Sequence, residues 1–334
     1  MGTPHPQLAD PTMNRPRCAA ATLLLTLTLT SGATLAAPFA YITNQGSHDV
    51  SVIDLALQQV VATVKVGRSP AGVVASSRAG QVFVSNPDSK TISVIDMREQ
   101  RLSATLPAGE GPVGIDASPD GTLLAVADWY RNRLLLLDPR SPAAPPAEVA
   151  VGRAPAGVAV HSDGNTVFVA ERDDDSVAVV DARERRVRTR IRVGSHPFAL
   201  HFDAARERLY ALNVQSDDVS VIDTRHLRVL ATIAVGRAPY GAALASAGTL
   251  LYVTNQHGNS VSVIDADTLR VLRTLDGFAY PEGIAAHGER VYVVNWMDDN
   301  VSVLDAGSGR TLSHIATGQN SRGFGAFIGG PLPP

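Results

Sequence analysis

Four side chains suited to molecular recognition recur at a regular spacing in this sequence. Phe198, Tyr240, Glu282 and Arg322 follow one another at intervals of 42, 42 and 40 residues. Two aromatic rings, an acid and a base can hold a small ligand or form the hot spot of a protein interface. An alternative interpretation is that Glu282 and Arg322 pair with each other while the aromatic rings fill a gap in the fold.

The sequence lacks the residue spacings that covalent catalysis and metal binding need. The histidines show no H-x-x-x-H pair, and the acidic runs at 173–175, 217–218 and 298–299 lack the glycine-centred calcium loop. No G-x-S-x-G, phosphate-loop or dinucleotide motif is present. We therefore predict no catalytic residue, no metal site and no cofactor, with a single haem-ligating histidine left open.

A repeat of about 42 residues must position the four side chains. Two markers recur in step: an Asp that ends a V-S-V-I-D run, at Asp54, Asp96, Asp138, Asp181, Asp223, Asp265 and Asp305, and a linker proline, at Pro70, Pro112, Pro155, Pro197, Pro239 and Pro281. One copy contains β-rich runs at 250–254, 260–265 and 271–275, with a further run after the linker proline. A meander this small needs neighbours to cover both of its faces.

Seven copies predict an all-β fold, a single seven-bladed β-propeller with four-stranded antiparallel blades. Six copies are complete. The runs at 39–43, 50–54 and 60–66 lack a first strand, and 324–328 is a first strand without the other three. Three N-terminal strands and one C-terminal strand are therefore expected to form the seventh blade and close the ring.

Chain direction brings the linkers between copies and the loops between the second and third strands to one face. The residue after each linker proline, or its equivalent in the last copy, then stands at the rim of the axial channel: Ala71, Val113, Ala156, Phe198, Tyr240, Glu282 and Arg322. Trp129 and Trp296 share one position directly after the second strand. Residues that break the repeat on this face, together with linker residues of the same sector, form the predicted ligand-binding site: Phe198, Tyr240, Glu282, Arg322, Trp296, His257, Trp129, His196 and Arg237.

The repeated residues are expected to be structural. Each strand-ending Asp can accept backbone N–H groups of the next turn. Arg68, Arg153 and Arg237 occupy one linker position, where solvated side chains are expected and a basic ring for anions is the alternative.

Tyr252-Val-Thr-Asn255 is the signature of the YVTN β-propeller family, and residues 41–44 and 292–295 are close copies of it. Together with N-x-V-S-V-I-D and V-G-x-x-P-x-G, these motifs cover roughly residues 38 to 328. The chain resembles the YVTN-repeat family, and within it the periplasmic YncE-like branch. The resemblance implies the propeller fold and does not choose a function, because related propellers include surface-layer proteins, amine dehydrogenase heavy chains, haem d1 domains and lactonases.

Residues 1–37 have the character of a secretory signal peptide. Arg15 and Arg17 precede an apolar run at 19–29, small residues follow at 34–37, and Met13 is an alternative start. Cys18 is the only cysteine, so the mature chain would contain none. We predict a propeller at 38–330, a short tail at 331–334, a periplasmic or secreted location, and no stable membrane span after cleavage.

The sequence predicts an exported binding scaffold that acts through the loop face at the channel mouth. The expected partner is a small ligand or a periplasmic protein, and the chain is expected to be a monomer. One alternative is an enzyme or redox subunit of the lactonase, haem d1 or amine dehydrogenase heavy-chain type. A second is single-stranded nucleic-acid binding. Removing Asp10, Arg15 and Arg17 from 29 basic and 32 acidic residues leaves a net charge of −4, which does not favour nucleic acid.

Overall fold

A computed structural model describes residues 1–5, 38–141 and 143–331. Contacts divide the chain into two units, Met1–Thr34 and Leu35–Pro334, and every strand belongs to the second. The predicted signal peptide, with Met13 and Cys18, lies outside the described residues apart from 1–5, as does most of the 331–334 tail. Within the described residues, no helix has both the length and the apolar character needed to span a membrane.

Seven four-stranded antiparallel sheets form the blades of a propeller, as the repeat predicts. Blade 7 contains the first strands of the chain, β1 (Phe39–Asn44), β2 (Asp49–Asp54) and β3 (Gln59–Lys65). Blade 1 contains β4 (Val73–Ser76), β5 (Gln81–Asn86), β6 (Thr91–Asp96) and β7 (Arg101–Pro107). Blade 2 contains β8 (Pro112–Ala117), β9 (Leu124–Asp128), β10 (Arg133–Leu137) and β11 (Ala147–Ala150). Blade 3 contains β12 (Pro155–Val160), β13 (Thr166–Glu171), β14 (Ser176–Asp181) and β15 (Arg186–Arg192).

The remaining blades follow the same order. Blade 4 contains β16 (Pro197–Asp203), β17 (Arg208–Asn213), β18 (Asp218–Asp223) and β19 (Arg228–Ala234). Blade 5 contains β20 (Pro239–Ala245), β21 (Leu250–Asn255), β22 (Ser260–Asp265) and β23 (Val271–Asp276). Blade 6 contains β24 (Pro281–His287), β25 (Arg290–Asn295), β26 (Asn300–Asp305) and β27 (Thr311–Ala316). Short 3-10 helices at Pro87–Ser89, Arg172–Asp174 and Gln256–Gly258 follow the second strands of blades 1, 3 and 5.

The ring closes through blade 7, whose strand order is β28 (Ile328–Gly329), β1, β2 and β3. This confirms the predicted closure by three N-terminal strands and one C-terminal strand. The inner strand is shorter than the predicted 324–328, because Gly323 and Gly325 adopt φ values of 65° and 122° that interrupt an extended backbone. The N–H of Val73 in blade 1 donates to Phe324 O over 2.8 Å, so the interrupted segment joins blade 7 to its neighbour.

The core lies between adjacent blades, where buried second and third strands of one sheet pack on those of the next. Tyr252 and Val263 of blade 5, for example, pack with Val291 and Val293 of blade 6. The Tyr252 hydroxyl also donates to Ala306 O over 2.8 Å, which ties it to a turn of the next blade. The aromatic residue of the YVTN signature therefore serves blade-to-blade packing.

Glycine in the V-G-x-x-P-x-G motif permits the first strands to approach one another closely. A Cβ atom on Gly114 would lie 2.0 Å from Ala156 O, and one on Gly157 would lie 2.4 Å from Phe198 O. Each of these carbonyls belongs to the rim residue of the next blade. The glycine thus sets the spacing of the rim positions around the axis.

The strand-ending aspartates have the structural role that the sequence predicts. Asp54 Oδ1, for instance, accepts from the N–H groups of Ala56 and Leu57 over 2.8 and 2.9 Å. A backbone N–H of the next turn is bound in the same way by the other six members: Asp96, Asp138, Asp181, Asp223, Asp265 and Asp305.

Candidate functional site

The linkers and the loops between second and third strands meet at one end of the propeller, which we call the linker face. Backbone bonds join the two loop sets directly: Trp129 N–H donates to Gly111 O over 2.9 Å, and Trp296 N–H donates to Tyr280 O over 3.2 Å. The opposite end carries the other two sets of turns and is called the turn face. Every residue of the predicted site belongs to the loops or strand starts of the linker face.

A buried ion pair lies at the rim. Arg322 Nε donates to Glu282 Oε2 over 2.6 Å, Arg322 Nη2 donates to the Tyr240 hydroxyl over 2.5 Å, and Gln256 Nε2 donates to Glu282 Oε1 over 2.7 Å. The Glu282 side chain is 2% exposed and that of Arg322 is 20% exposed. Burial lowers the pKa of Arg322, but Tyr240 and Glu282 more than offset it, so the pKa is raised and the guanidinium stays charged. The structure thus pairs Glu282 with Arg322, as the alternative interpretation predicts; ligand binding by them stays a prediction.

Three aromatic rings fill the channel mouth, and we call them the mouth plug. The ring of Phe198 lies 4.7 Å from that of Tyr240 and 5.1 Å from that of Phe324, and Tyr240 and Phe324 are 5.8 Å apart, centroid to centroid. Tyr240 is 5% exposed and Phe324 7%. Phe198 and Tyr240 therefore pack against each other and against Phe324, and the axial channel is filled at this end.

His257, Tyr280 and Trp296 form a row of mutually tilted rings outside the plug, which we call the aromatic stack. The centroid of Tyr280 is 5.5 Å from those of both His257 and Trp296, and His257 Nε2 lies 3.1 Å from the Tyr280 hydroxyl. Trp296 Nε1 donates to Gln45 Oε1 of blade 7 over 3.5 Å. His257 is exposed, whereas Tyr280 and Trp296 are half-buried. Tyr280 has φ 56°, and its N–H donates to Asn259 Oδ1 over 3.0 Å, which fixes the linker that presents the ring.

The backbone of Arg237 adjoins the loop that carries His257, because Gly258 N–H donates to Arg237 O over 3.2 Å, and the Arg237 side chain is exposed. The equivalent Arg153 binds Asp174 over 2.7 Å, and Arg68 donates to Asp88 O over 3.0 Å. In blade 5 the loop that would supply the partner reads Gln256–Gly258. Within 38–141 and 143–331, no side chain pairs with the exposed Arg237 guanidinium.

Trp129 lies on the other side of the plug, with its ring 6.2 Å from that of Phe198 and the guanidinium of Arg172 5.7 Å from its centroid. Tyr130 follows it and is 72% exposed; Met297, which follows Trp296, is 60% exposed. His196 Nε2 lies 4.0 Å from Asp173 Oδ1 of blade 3, so His196 does not join the His257 stack. The predicted residues thus divide into a buried rim, the plug and two exposed groups.

Sequence reasoning missed three contributors to this face: Phe324, Tyr130 and Met297. Phe324 was expected as an ordinary strand residue, and only the interrupted backbone at Gly323 and Gly325 turns its ring into the channel. Tyr130 and Met297 carried a readable signal, since each directly follows one of the two tryptophans.

Below the mouth plug, the first strands enclose an axial cavity of about 460 Å³. Its lining begins with Gly114, Gly157, Ala199, Gly241 and Gly283, one position inside the rim, and includes Phe324. Asp116 and His201 are the titratable residues of this lining. A search of the described residues for three or more His, Cys, Asp or Glu side chains placed to hold a metal ion found none.

The fold and the rim define a seven-bladed repeat propeller with a closed channel mouth. The family model of the YncE-like β-propellers matches residues 144–328, more than half of the chain, and the chain belongs to this family. A comparison with curated proteins found no match.

Several solved structures share the fold. Hydrazine synthase of Kuenenia stuttgartiensis is 20% identical with a TM-score of 0.70, over 84% of this chain and 99% of that one. Dihydro-haem d1 dehydrogenase NirN in complex with DHE is 16% identical with a TM-score of 0.66, over 86% of this chain and 74% of that one. A functionally unknown protein from Desulfotomaculum acetoxidans is 13% identical with a TM-score of 0.74, over 89% of this chain and 99% of that one. At these identities the likeness concerns the fold alone.

Proposed function

We propose that the protein is an exported binding scaffold whose linker face holds a partner protein. The observation that carries this proposal is a pair of groups on either side of a filled mouth, in each of which a half-buried tryptophan is followed by an exposed side chain. Trp129 and Tyr130 form one group, and Trp296, Met297 and the free Arg237 belong to the other. Tryptophan, tyrosine, methionine and arginine are the residue types enriched in the cores of protein interfaces.

The filled mouth favours a protein over a small ligand at this face. Small-molecule sites are concave and bury most of the ligand. Here Phe198, Tyr240 and Phe324 occupy the space at the centre of the face, and the axial cavity begins below them. A partner protein needs exposed anchors around a broad surface, and the side chains of Tyr130 and Met297 supply them.

The buried rim supports recognition without taking part in it. Glu282 is engaged by Arg322 and Gln256 and is 2% exposed, so it is poorly placed to act as a general base. Its contacts instead hold three segments of the rim in register, which reduces the ordering cost when a partner binds. Export is part of the proposal and is supported by the signal-like residues 1–37.

Site-directed photocrosslinking tests the proposal. Benzoylphenylalanine placed at Met297 and, separately, at Tyr130 is expected to give adducts with one partner of the same mass in the exported fraction. The same residue at Leu230, an exposed position on the outer strand β19, is the control. Adducts only at Leu230, or none at Met297 and Tyr130 in cells that make the protein normally, would refute the proposal.

Single-stranded nucleic acid is a second candidate, favoured by the His257–Tyr280–Trp296 stack beside the unpaired Arg237. Base stacking on aromatic rings and phosphate contacts with arginine are the usual elements of such sites. Fluorescence of a Trp129→Phe protein, in which Trp296 is the remaining tryptophan, titrated with a single-stranded oligonucleotide at 50 and 200 mM salt tests it. Binding that falls steeply with salt and is lost in Arg237→Gln would favour nucleic acid; no change in fluorescence would exclude it at this stack.

A further inference from the structure

Two ionisable residues occupy a first-strand position that is aliphatic in the other complete blades. The fourth residue after the linker proline is Asp116 in blade 2 and His201 in blade 4. In blades 1, 3, 5 and 6 it is an alanine or a valine: Val74, Ala159, Ala243 and Ala285. The repeat therefore builds this position without a polar group. A carboxylate and an imidazole here need a reason other than the fold.

The residue opposite Asp116 changes as well. In blades 1, 3, 4, 5 and 6 the partner on the second strand is aromatic: Phe83, Phe168, Tyr210, Tyr252 and Tyr292. Opposite Asp116 the partner is Ala125. Blade 2 thus exchanges an aliphatic–aromatic pair for a carboxylate beside a small residue, and gives up aromatic packing to hold a charge.

The Asp116 carboxylate is held in place at the cavity wall. The N–H of Val160 in blade 3 donates to Oδ2 over 2.8 Å, and the N–H of Ala117 donates to Oδ1 over 2.9 Å. Burial raises the pKa of Asp116 to about 6, although both hydrogen bonds lower it. The carboxylate is therefore mostly ionised at neutral pH. The described lining of the cavity contains no lysine or arginine to balance it.

His201 supplies a neutral polar group in the same cavity. Its ring stacks 6.4 Å from that of Tyr210, and no hydrogen bond joins its nitrogens to another described residue. Burial lowers the pKa of His201 to about 4, with Asp203 acting in the opposite sense. The neutral imidazole offers one donor and one acceptor. Leu200, Phe202, Leu244 and Ile284 add apolar groups to a lining that also exposes polar groups.

We propose that the axial cavity is a second binding site that takes a small organic cation, with its ammonium group on Asp116 and its apolar part against the leucine, isoleucine and phenylalanine side chains. A volume of about 460 Å³ falls in the range of small-molecule sites. His201 provides a second hydrogen-bond partner for the ligand. The site is separate from the partner surface, because the mouth plug lies between the two. The cation enters from the turn face.

Calorimetry with phenethylammonium as the probe tests this site, and its neutral analogue 2-phenylethanol is the matched ligand control. The wild-type protein is expected to bind phenethylammonium at least about tenfold more tightly than 2-phenylethanol. The alcohol lacks the charge-assisted hydrogen bond that the ammonium group makes with the buried Asp116 carboxylate. Asp116→Asn keeps an oxygen for Val160 and should remove most of the ammonium binding. Glu184→Gln, which neutralises a carboxylate on an exposed turn of the turn face, should leave it unchanged.

The pH dependence supplies a second readout. Affinity should be constant above pH 7 and fall about tenfold by pH 5, because Asp116 becomes protonated with a pKa of about 6. The other titratable groups near the cavity are His201, Asp203, which is bound to Arg206, and His161, which lies between Glu207 and Asp163. The weak phenethylammonium binding that remains in Asp116→Asn should not change between pH 5 and pH 7.

No detectable binding of phenethylammonium, equal binding of the alcohol, or unchanged binding in a folded Asp116→Asn protein would each overturn the proposal. These outcomes are independent of the partner surface. The crosslinking result at Met297 would stand in every case.

Discussion

Arg322 lies 2.6 Å from Glu282, and this buried pair fastens the segment that closes the ring to the first strand of blade 6. The N–H of Gly283 also donates to Arg322 O over 2.9 Å, so side chain and backbone join the same two segments. The most conspicuous acid and base of the channel rim thus form a structural contact, and the proposed recognition surface lies around them.

Glu282→Gln is expected to destabilise the protein by about 3 kcal/mol, because the buried Arg322 loses its counter-charge. Urea unfolding followed by circular dichroism measures this change. Glu184→Gln removes a fully surface pair with Arg186 and should cost less than about 1 kcal/mol. Equal losses of unfolding free energy in the two variants would contradict the structural role assigned to the Glu282–Arg322 pair.

Removal of residues 322–334 is expected to lower the melting temperature by more than about 10 °C, since β1 loses its inner partner and the plug loses Phe324. Removal of 331–334 alone, beyond β28, should leave it unchanged. Differential scanning calorimetry compares the two. An unaltered melting curve in the longer truncation would show that the ring does not depend on this closure.

Gly114→Ala should destabilise blade 2 by about 2 kcal/mol or more, because the new methyl group would meet Ala156 O at 2.0 Å. The equivalent position in blade 4 is Ala199, which already carries a methyl group. Ala199→Gly is therefore the control and should cost less than about 1 kcal/mol. Denaturant midpoints of both variants, measured in parallel, check the difference.

Tyr252→Phe removes the hydroxyl that donates to Ala306 O and should cost about 1 kcal/mol, because this carbonyl keeps only the hydrogen bond from Ser246 Oγ over 2.9 Å. Tyr130→Phe removes an exposed hydroxyl and should leave the unfolding free energy unchanged. If both variants unfold at the wild-type urea midpoint, the blade-to-blade hydrogen bond contributes nothing measurable.

Asp116→Asn should raise stability at pH 7.5 while it removes the pH dependence that this carboxylate causes. The pKa of Asp116 rises from an ordinary 3.8 to about 6 on folding, so the folded state holds the proton to higher pH than the unfolded state. Burial of the ionised Asp116 carboxylate lowers the free energy of unfolding. This loss is absent below pH 4, grows between pH 4 and 6, and is complete above pH 6. The gain at pH 7.5 is about 1 to 3 kcal/mol, and thermal melts across this range should converge at pH 4.

The periodicity of the sequence predicts the fold well because each blade repeats the same local chemistry. The aspartates from Asp54 to Asp305 mark seven turns, and the split of blade 7 follows from the incomplete copies at the two ends. Boundaries shift by about a residue, as at Asn255, which extends the predicted 250–254 strand. Such a shift is expected where a strand ends in a polar side chain that bonds its neighbour.

The candidate site is less predictable because it depends on contacts between blades. The positions of Glu282 and Arg322 in the repeat predict that the two residues share one rim. They do not predict that Gln256 contacts this pair. The ring of Phe324 reaches the plug only through the left-handed backbone at Gly323. Asp116 could have been found by aligning the first strands and asking which copy replaces an aliphatic residue with an acid.

Blade 7 contains the earliest and the last strands of the chain, with Phe39 paired to Gly329. During synthesis, β1 emerges almost 290 residues before its inner partner. For all of that time the hydrogen-bonding edge of β1 is open, and the six other blades form an arc rather than a ring. The order of emergence therefore makes closure the final folding event, whichever blade forms first.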